Sequence, residues 1–498
     1  MRSLLTLLLA STLAGADSWT DTFTIDKIAI PPGIDPQIGG LDTMPNGNLA
    51  MCFHRGEVLI YNPESETWSH FAEGLHEPLG ILAESNSSFL IMQRPELTRV
   101  KDTDGDGVAD LYETVFDGFG MTGNYHEFAF GPARDKDGNL YVSLNVASNG
   151  AGVRAEVRGP WSDIGLDRSN MLNGSGWGKF RGKAGRMYSR VAYRGWVLKL
   201  SPDGKKFQPF ASGFRSPEGL GFDREGRLLV TDNQGDWLGT SKLHHVRKGH
   251  FHGHPASLVW NKGWTREPLK VPVPQLDEMR TPAMGLLPQG ELANSPTEPR
   301  MIPQGVFGPL SEQMLIGEMN QSNLVRFLPD PVGEVSQGAA IPFLRTNALG
   351  RGNHRLTFTE DGSLWIGKTH LSWAGSNGLV RIRLKENQED FLAVEGINLI
   401  DCGFHLSFTQ AVDRKTLQSV KLRRHTYKYH QAYGSPKIDE KEVACEITEI
   451  SINDKSCVVK FDDLKEGYLY TMSLPGVTSA KGKPLLGDKI YYTLLKKR

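Results

Sequence analysis

Polar and apolar positions alternate along this chain in a way that repeats. A short apolar strand runs into a turn rich in Asp, Asn and Gly, and a Leu-led apolar strand follows. Copies run from Gly40-Leu41 through Pro45-Asn46-Gly47-Asn48-Leu49, from Gly80-Ile81-Leu82 through Asn86-Ser87-Ser88-Phe89-Leu90-Ile91, and from Phe128-Ala129-Phe130 through Asp137-Gly138-Asn139-Leu140-Tyr141-Val142. Three more run from Gly219-Leu220-Gly221-Phe222 through Glu225-Gly226-Arg227-Leu228-Leu229-Val230, from Gly305-Val306-Phe307 through Glu312-Gln313-Met314-Leu315-Ile316, and from Arg355-Leu356-Thr357-Phe358 through Asp361-Gly362-Ser363-Leu364-Trp365-Ile366. Asp-Gly and Asn-Gly accept the positive φ of tight hairpins. Several copies precede a further strand, such as Val58-Leu59-Ile60-Tyr61, so each predicts a four-stranded blade. A lone hairpin cannot bury its face, whereas radial repetition can. The expectation is an all-β chain with a six-bladed β-propeller over residues 17–393. A β-sandwich with coincidental Asp-Gly turns is the competing reading.

After Asn398 the pattern changes to short strands such as Phe404-His405-Leu406-Ser407-Phe408 and Ile490-Tyr491-Tyr492-Thr493-Leu494. They predict a small immunoglobulin-like β-sandwich over residues 394–498, a contact or stabilising module without chemistry of its own. Two insertions interrupt the repeats. Residues 149–194 are Gly-rich and Arg-rich, and residues 256–300 are Pro-rich. Loops of that length in compact folds are commonly functional or disordered.

Arg2, the apolar run Leu4 to Leu13 and Ala14-Gly15-Ala16 have the layout of a signal peptide over residues 1–16, with a retained anchor as the alternative. No later segment reaches the roughly 18 apolar residues of a membrane span. The expected location is the periplasm or outside the cell. Lys and Arg (56) nearly balance Asp and Glu (57), which argues against a nucleic-acid binder. Export permits disulfides. Cys445 and Cys457 flank a polar turn and could face each other, or either could join Cys402, and the sequence leaves the pairing open.

Residues 102–113 match a twelve-residue calcium loop. Asp102, Asp104 and Asp106 supply the first ligands, Gly107 the sharp turn, Val108 its backbone carbonyl, Asp110 a water-mediated contact and Glu113 the bidentate closure. The expectation is a structural Ca²⁺ site in a connecting loop, with an ion-free acidic turn as the alternative.

Propeller ligands sit on the axis, where loops from all blades converge. The third copy is preceded by Asn124-Tyr125-His126-Glu127. The fourth is preceded by Arg215-Ser216-Pro217-Glu218 and exits into Asp232-Asn233-Gln234-Gly235-Asp236-Trp237. The sixth is preceded by Arg351-Gly352-Asn353-His354-Arg355. These offsets place His126, Arg215, Asn233 and Arg355 at one end. His244, His245, His250, His252 and His254 form a dense group that could bind a transition metal, although a channel loop is the preferred reading.

With these motifs the chain resembles the soluble quinoprotein sugar dehydrogenases, which use pyrroloquinoline quinone (PQQ). Residues 102–113 and Tyr433-Gly434-Ser435-Pro436 are similar to the "membrane-bound dehydrogenase" branch of exported bacterial proteins. The resemblance implies that His126 is the general base and Arg215 a catalytic and cofactor contact. It implies that Arg355 or Arg351 completes a cationic clamp, and that Asn233, Gln234 and Gly235 give oxygens to a Ca²⁺ bridging to PQQ. A sugar or polyol would be oxidised, with electrons passing to a separate acceptor such as a cytochrome. The chain departs from the family in the fifth blade, where Gly317-Glu318-Met319-Asn320-Gln321 lacks the family's Lys. The rival readings are a calcium-dependent lactonase with Asn233 and Glu318 on the metal, and a non-catalytic glycan- or protein-binding propeller.

Overall fold

The computed structural model describes residues 18–148, 157–164, 186–371, 375–388, 390–417 and 420–498. The expected leader (1–16) and most of the Arg-rich insertion lie outside the described residues. The fold is all-β, and among the described residues the helices are short, such as Ser18–Thr22 and Val273–Met279. Among the described residues no helix is long and apolar enough to cross a membrane.

Six groups of four antiparallel strands follow one another along the chain. Sheet one is Ile38–Thr43, Leu49–Phe53, Val58–Asn62 and Thr67–Ala72; sheet two is Ile81–Ser85, Ser88–Met92, Leu97–Lys101 and Leu111–Phe116. Sheet three is Ala129–Arg134, Leu140–Leu144, Trp196–Leu200 and Phe207–Ser212; sheet four is Gly219–Phe222, Leu228–Asp232, Ser241–His245 and Gly285–Leu287. Sheet five is Pro296–Met301, Met314–Glu318, Leu324–Pro329 and Gly338–Phe343. Sheet six takes Asn353–Phe358, Leu364–Lys368 and Gly378–Leu384 from its own stretch, and its fourth strand, Phe23–Ile28, from the N-terminus. The first strand of each sheet touches that of the next, and the sixth returns to the first, so the sheets close a ring.

The turn glycines Gly47, Gly138, Gly226 and Gly362 all sit at positive φ, between 76° and 84°, the backbone region that glycine enters without a Cβ penalty. The second strand of every sheet is buried at each position. This explains the unbroken apolar runs there, since neighbouring sheets cover both faces. A separate hydrophobic cluster fills each gap between neighbours; Phe71, Phe89 and Ile91 lie between sheets one and two, for example, and Leu356, Ile366 and Phe343 between five and six.

The fifth repeat differs from expectation. Its first strand is Pro296–Met301, inside the stretch read as an insertion, and Gly305 to Phe307 is a turn leading into the short 3₁₀ helix Gly308–Leu310. Pro296 and Pro299 obscured the strand. They are tolerated because it lies on the ring's inner edge and is bulged between them.

Beyond residue 391 two sheets share one core that includes Val394, Phe404, Phe408, Val459, Tyr470 and Tyr492. One of them extends sheet five, because Lys489–Leu494 pairs with Gly338–Phe343. All four cysteines are free thiols. Glu446 pairs with Lys460 and Thr448 with Val458, a register that carries Cys445 and Cys457 to different ends of their hairpin, so the bridge considered from sequence does not form.

Ring closure rests on Phe23, which is buried and packs against Phe307, Phe343 and Phe391 at centroid distances of 5.3, 5.5 and 6.0 Å. Phe23→Ala is expected to cost about 3–5 kcal/mol, read from the denaturant midpoint in urea. A loss under about 1 kcal/mol would show that this strand does not hold the ring.

Candidate functional site

Strand Leu228–Asp232 ends in a buried carboxylate that sets the loop before its neighbour. Asp232 accepts the backbone N–H of Arg215 (3.0 Å) and of Ser216 (2.7 Å). The Arg215 side chain then lies flat against Gly235, where an added Cβ would stand 1.9 Å from Nε. Arg215 Nε is 3.6 Å from Asp236 Oδ1, and Asp236 also meets Arg186 (3.3 Å) and His254 Nε2 (3.4 Å). Burial opposes the charge on Asp236, but His254 and Arg215 outweigh it and hold the carboxyl down to about 2.

His126 stands across from this group. Its Nδ1 lies 2.7 Å from the Val146 carbonyl, so Nδ1 carries the proton and Nε2 keeps its lone pair. Buried Asn124 orients the loop, its Oδ1 accepting the N–H of His126 (3.0 Å) and of Ser148 (3.1 Å). Burial, then the charge of Arg215, lowers the His126 pKa to about 3. The ring is therefore neutral across the physiological range.

His126, Arg215, Asn233 and Gln234 line one cleft of about 330 Å³. Asn233 donates Nδ2 to Glu218 Oε1 (3.0 Å) and Ser295 Oγ (2.9 Å). Oxygens of four lining residues are buried without a hydrogen-bond partner: Asn233 Oδ1, Gln234 Oε1, Glu218 Oε2 and Asn320 Oδ1. Such groups are costly to leave unmatched. Burial raises the Glu218 pKa to about 8, against the pull of Arg355. Behind the cleft, burial raises Glu318 to about 7 although its carboxylate accepts the N–H of Ser295, Asn320 and Gln321.

Gly235 is not placed to offer a free carbonyl, since its oxygen accepts Gly434 N–H at 2.8 Å. Arg355 does not line the cleft with His126. Its guanidinium crosses the ring axis and donates to the carbonyls of Gly39 (3.1 Å), Leu79 (2.6 Å) and Glu218 (3.1 Å). It borders a separate cavity of about 290 Å³ with Asp42, Glu298 and Arg300. The bulge between Asn353 and Arg355 shifts the register there and turns the side chain inward. Arg351 is exposed. Lys368 donates to the carbonyls of Leu349 (2.7 Å) and Arg351 (2.9 Å) and to Asn353 Oδ1 (2.7 Å), away from the cleft.

Three cleft residues were not singled out from sequence. Tyr125 and Tyr433 present large exposed rings, at 53% and 52% exposure, and Arg186 lies 4.3 Å over the Tyr433 ring. Tyr433 arrives from the C-terminal sheets, because His430–Tyr433 pairs with Asp236–Trp237. The sequence offered Tyr433-Gly434-Ser435-Pro436 only as a family resemblance, and no local pattern reports a pairing over such a distance.

Residues 102–113 join the outer two strands of sheet two, and none of them lines the cleft. Oxygens of Asp102, Asp104 and Asp106 lie within 4.8 Å of one another. The later ligands expected from the loop pattern are engaged elsewhere: Asp110 accepts Thr103 N–H (2.9 Å), and Glu113 pairs with Arg99 (2.7 Å). Val108 is exposed at the loop tip.

Residues 64–193 match the sequence profile of a domain of unknown function, DUF7133. A search of curated proteins finds no match. Among solved structures the chain is similar to the PQQ-bound aldose sugar dehydrogenase of Streptomyces coelicolor, at 14% identity and TM-score 0.48 over 73% of this chain and 98% of that one. It is also similar to the apo soluble aldose sugar dehydrogenase of Escherichia coli (13% identity, TM-score 0.47, 73% and 100% covered) and to the PQQ domain of pyranose dehydrogenase from Coprinopsis cinerea (12%, 0.47, 72% and 95%).

Glu218 gives the cleft a pH signature. In the unfolded chain it ionises near 4.5, and in the fold near 8. Between those values the folded state holds a proton that the unfolded state has lost, so this contribution to stability falls as pH rises. Glu218→Gln is expected to flatten the decline, measured by urea unfolding at pH 5, 6.5 and 8. Parallel pH curves for the two proteins would contradict the assignment.

Proposed function

We propose that the ring is a six-bladed β-propeller spanning residues 17–393, that residues 394–498 form an immunoglobulin-like sandwich, and that the cleft is the active site of an exported oxidoreductase. It would oxidise a hydroxyl of a sugar or polyol with PQQ and Ca²⁺, and hand electrons to a separate acceptor such as a cytochrome. The observation that carries this is one cleft holding a neutral imidazole, two guanidinium groups and unmatched amide oxygens.

The residues present fit both groups. Arg215 has an Nε without a hydrogen-bond partner, and Arg186 stands beside it; guanidinium forks suit the carboxylates of PQQ. Asn233 Oδ1 and Gln234 Oε1 are hard oxygens lacking donors, as Ca²⁺ requires. When bound, PQQ supplies the hydride acceptor and Ca²⁺ the Lewis acid. His126 Nε2 takes the hydroxyl proton of the substrate. Asp236 holds Arg186 and Arg215 in place. Tyr125 and Tyr433 offer flat apolar faces at the mouth, suited to the C–H face of a sugar ring. Tyr433 makes the C-terminal module part of the site. Asn320 lines the cleft where the resemblance led us to expect a Lys. The lactonase alternative needs Glu318 as a metal ligand, and the three amides on its carboxylate favour the oxidoreductase.

Purified protein titrated with PQQ and Ca²⁺ is expected to show a saturable absorbance change and aldose-dependent dye reduction. His126→Ala should lower turnover about 100-fold or more while keeping the absorbance change, and Arg215→Ala should weaken quinone binding. An absence of binding at micromolar PQQ would overturn the proposal.

Asp102, Asp104 and Asp106 are proposed to hold a second, structural Ca²⁺. Calcium added to chelator-treated protein should raise Tm, and Asp104→Ala should remove most of that rise without altering quinone binding. An unchanged calcium response in the variant would place the ion elsewhere.

A further inference from the structure

A third cavity, of about 150 Å³, lies between sheet four and the C-terminal sheets. Strand Ser241–His245 turns Lys242 and His244 onto the same face by its two-residue alternation, and the following loop brings His252 opposite. The two imidazoles are 1% and 2% exposed, with ring centroids 4.7 Å apart. Phe214 stacks on His252 at 4.8 Å. None of the four ring nitrogens has a hydrogen-bond partner. Each neutral ring therefore buries an N–H donor with nothing to accept it. Lys242 is buried too, and its ammonium donates to the Thr240 carbonyl, which uses one of three protons. Arg280 lines the same cavity, and Lys428 stands at its rim.

Among the described residues no carboxylate lines this space. Acids that act on the lining residues are already engaged; Glu291 and Glu440, for example, both meet Lys437. Asp232 is bound to the Arg215 and Ser216 amides, and Asp277 pairs with Arg280 Nε. Burial lowers Lys242 to about 7 against the pull of Asp232, which fits a cation short of a counter-charge. Two imidazoles alone are also transition-metal ligands. Lys242 and Arg280 would repel a metal cation, however, and no thiolate or carboxylate is present to offset that repulsion. Donors that converge without an acceptor call for the opposite charge.

We infer that this cavity binds a small oxyanion, of the phosphate, sulfate or carboxylate class, through His244, His252, Lys242 and Arg280. The site is distinct from the cleft, with which it shares no lining residue, and it does not depend on the redox chemistry proposed there.

Isothermal titration calorimetry on the full chain tests it, with sodium phosphate, sulfate and acetate run against chloride at matched ionic strength. The expected result is saturable binding of at least one oxyanion, weakened about tenfold or more by Lys242→Met and by His252→Phe. Lys242→Met keeps side-chain volume, His252→Phe keeps an aromatic ring that is somewhat larger than the imidazole, and circular dichroism checks their folding. Either variant, if folded, decides the question. Absence of saturable binding by all three anions overturns the inference. So does oxyanion binding that both variants retain, which would place it elsewhere. A saturable Zn²⁺ isotherm abolished by His252→Phe, with no oxyanion isotherm, would identify a cation site and overturn it as well.

Discussion

The whole molecule depends on one antiparallel pairing, that of Phe23–Ile28 with Gly378–Leu384. Each sheet buries its apolar surface only against its neighbours, so an open row would leave two faces wet. Joining the first strand to the last sheet turns the row into a ring and commits both chain ends of the repeat to one ladder. Side chains that reach inward are then held from several directions. Arg355 gathers carbonyls from the first strand of sheet one and from the loops leading into sheets two and four, a set that exists only once the ring is shut.

The cleft inherits its order from that closure through buried carboxylates. Asp232 fixes backbone, and Asp236 fixes side chains. Together they place one guanidinium beside a glycine that has no room for a methyl group. The electrostatics follow from depth. Burial keeps His126 neutral and Glu218 protonated, so among the described residues the charged groups lining the cleft are the two arginines, with Asp236 paired to them from outside the lining. A site of that composition receives an anionic group readily and still offers a base.

Much of this was legible in the sequence. Asp-Gly and Asn-Gly turns are local, their glycines do take positive φ, and the apolar runs do form the buried second strands. His126, Arg215, Asn233 and Gln234 share a cleft because each lies next to a strand end that the repeats locate. Other features were hidden for stated physical causes. Prolines disguised the first strand of sheet five. A bulge redirected Arg355, and strand counting does not register bulges. Tyr433 reaches the cleft through a pairing with Asp236–Trp237, a contact between segments far apart in the chain. The cysteine bridge failed on strand register, which sequence spacing does not report.

The pairing of Gly338–Phe343 with Lys489–Leu494 bears on solubility. A ring of this kind shows the outermost strand of each sheet to the surroundings, and an unpaired strand edge is a template for other chains. Sheet five has no such edge. Its ladder runs on into the C-terminal sheets, and Leu328, Ala339 and Ile341 lie beneath them in a common core. Proteolytic loss of that region would bare a hydrophobic ladder and invite self-association, so the C-terminal residues guard the intact protein against aggregation.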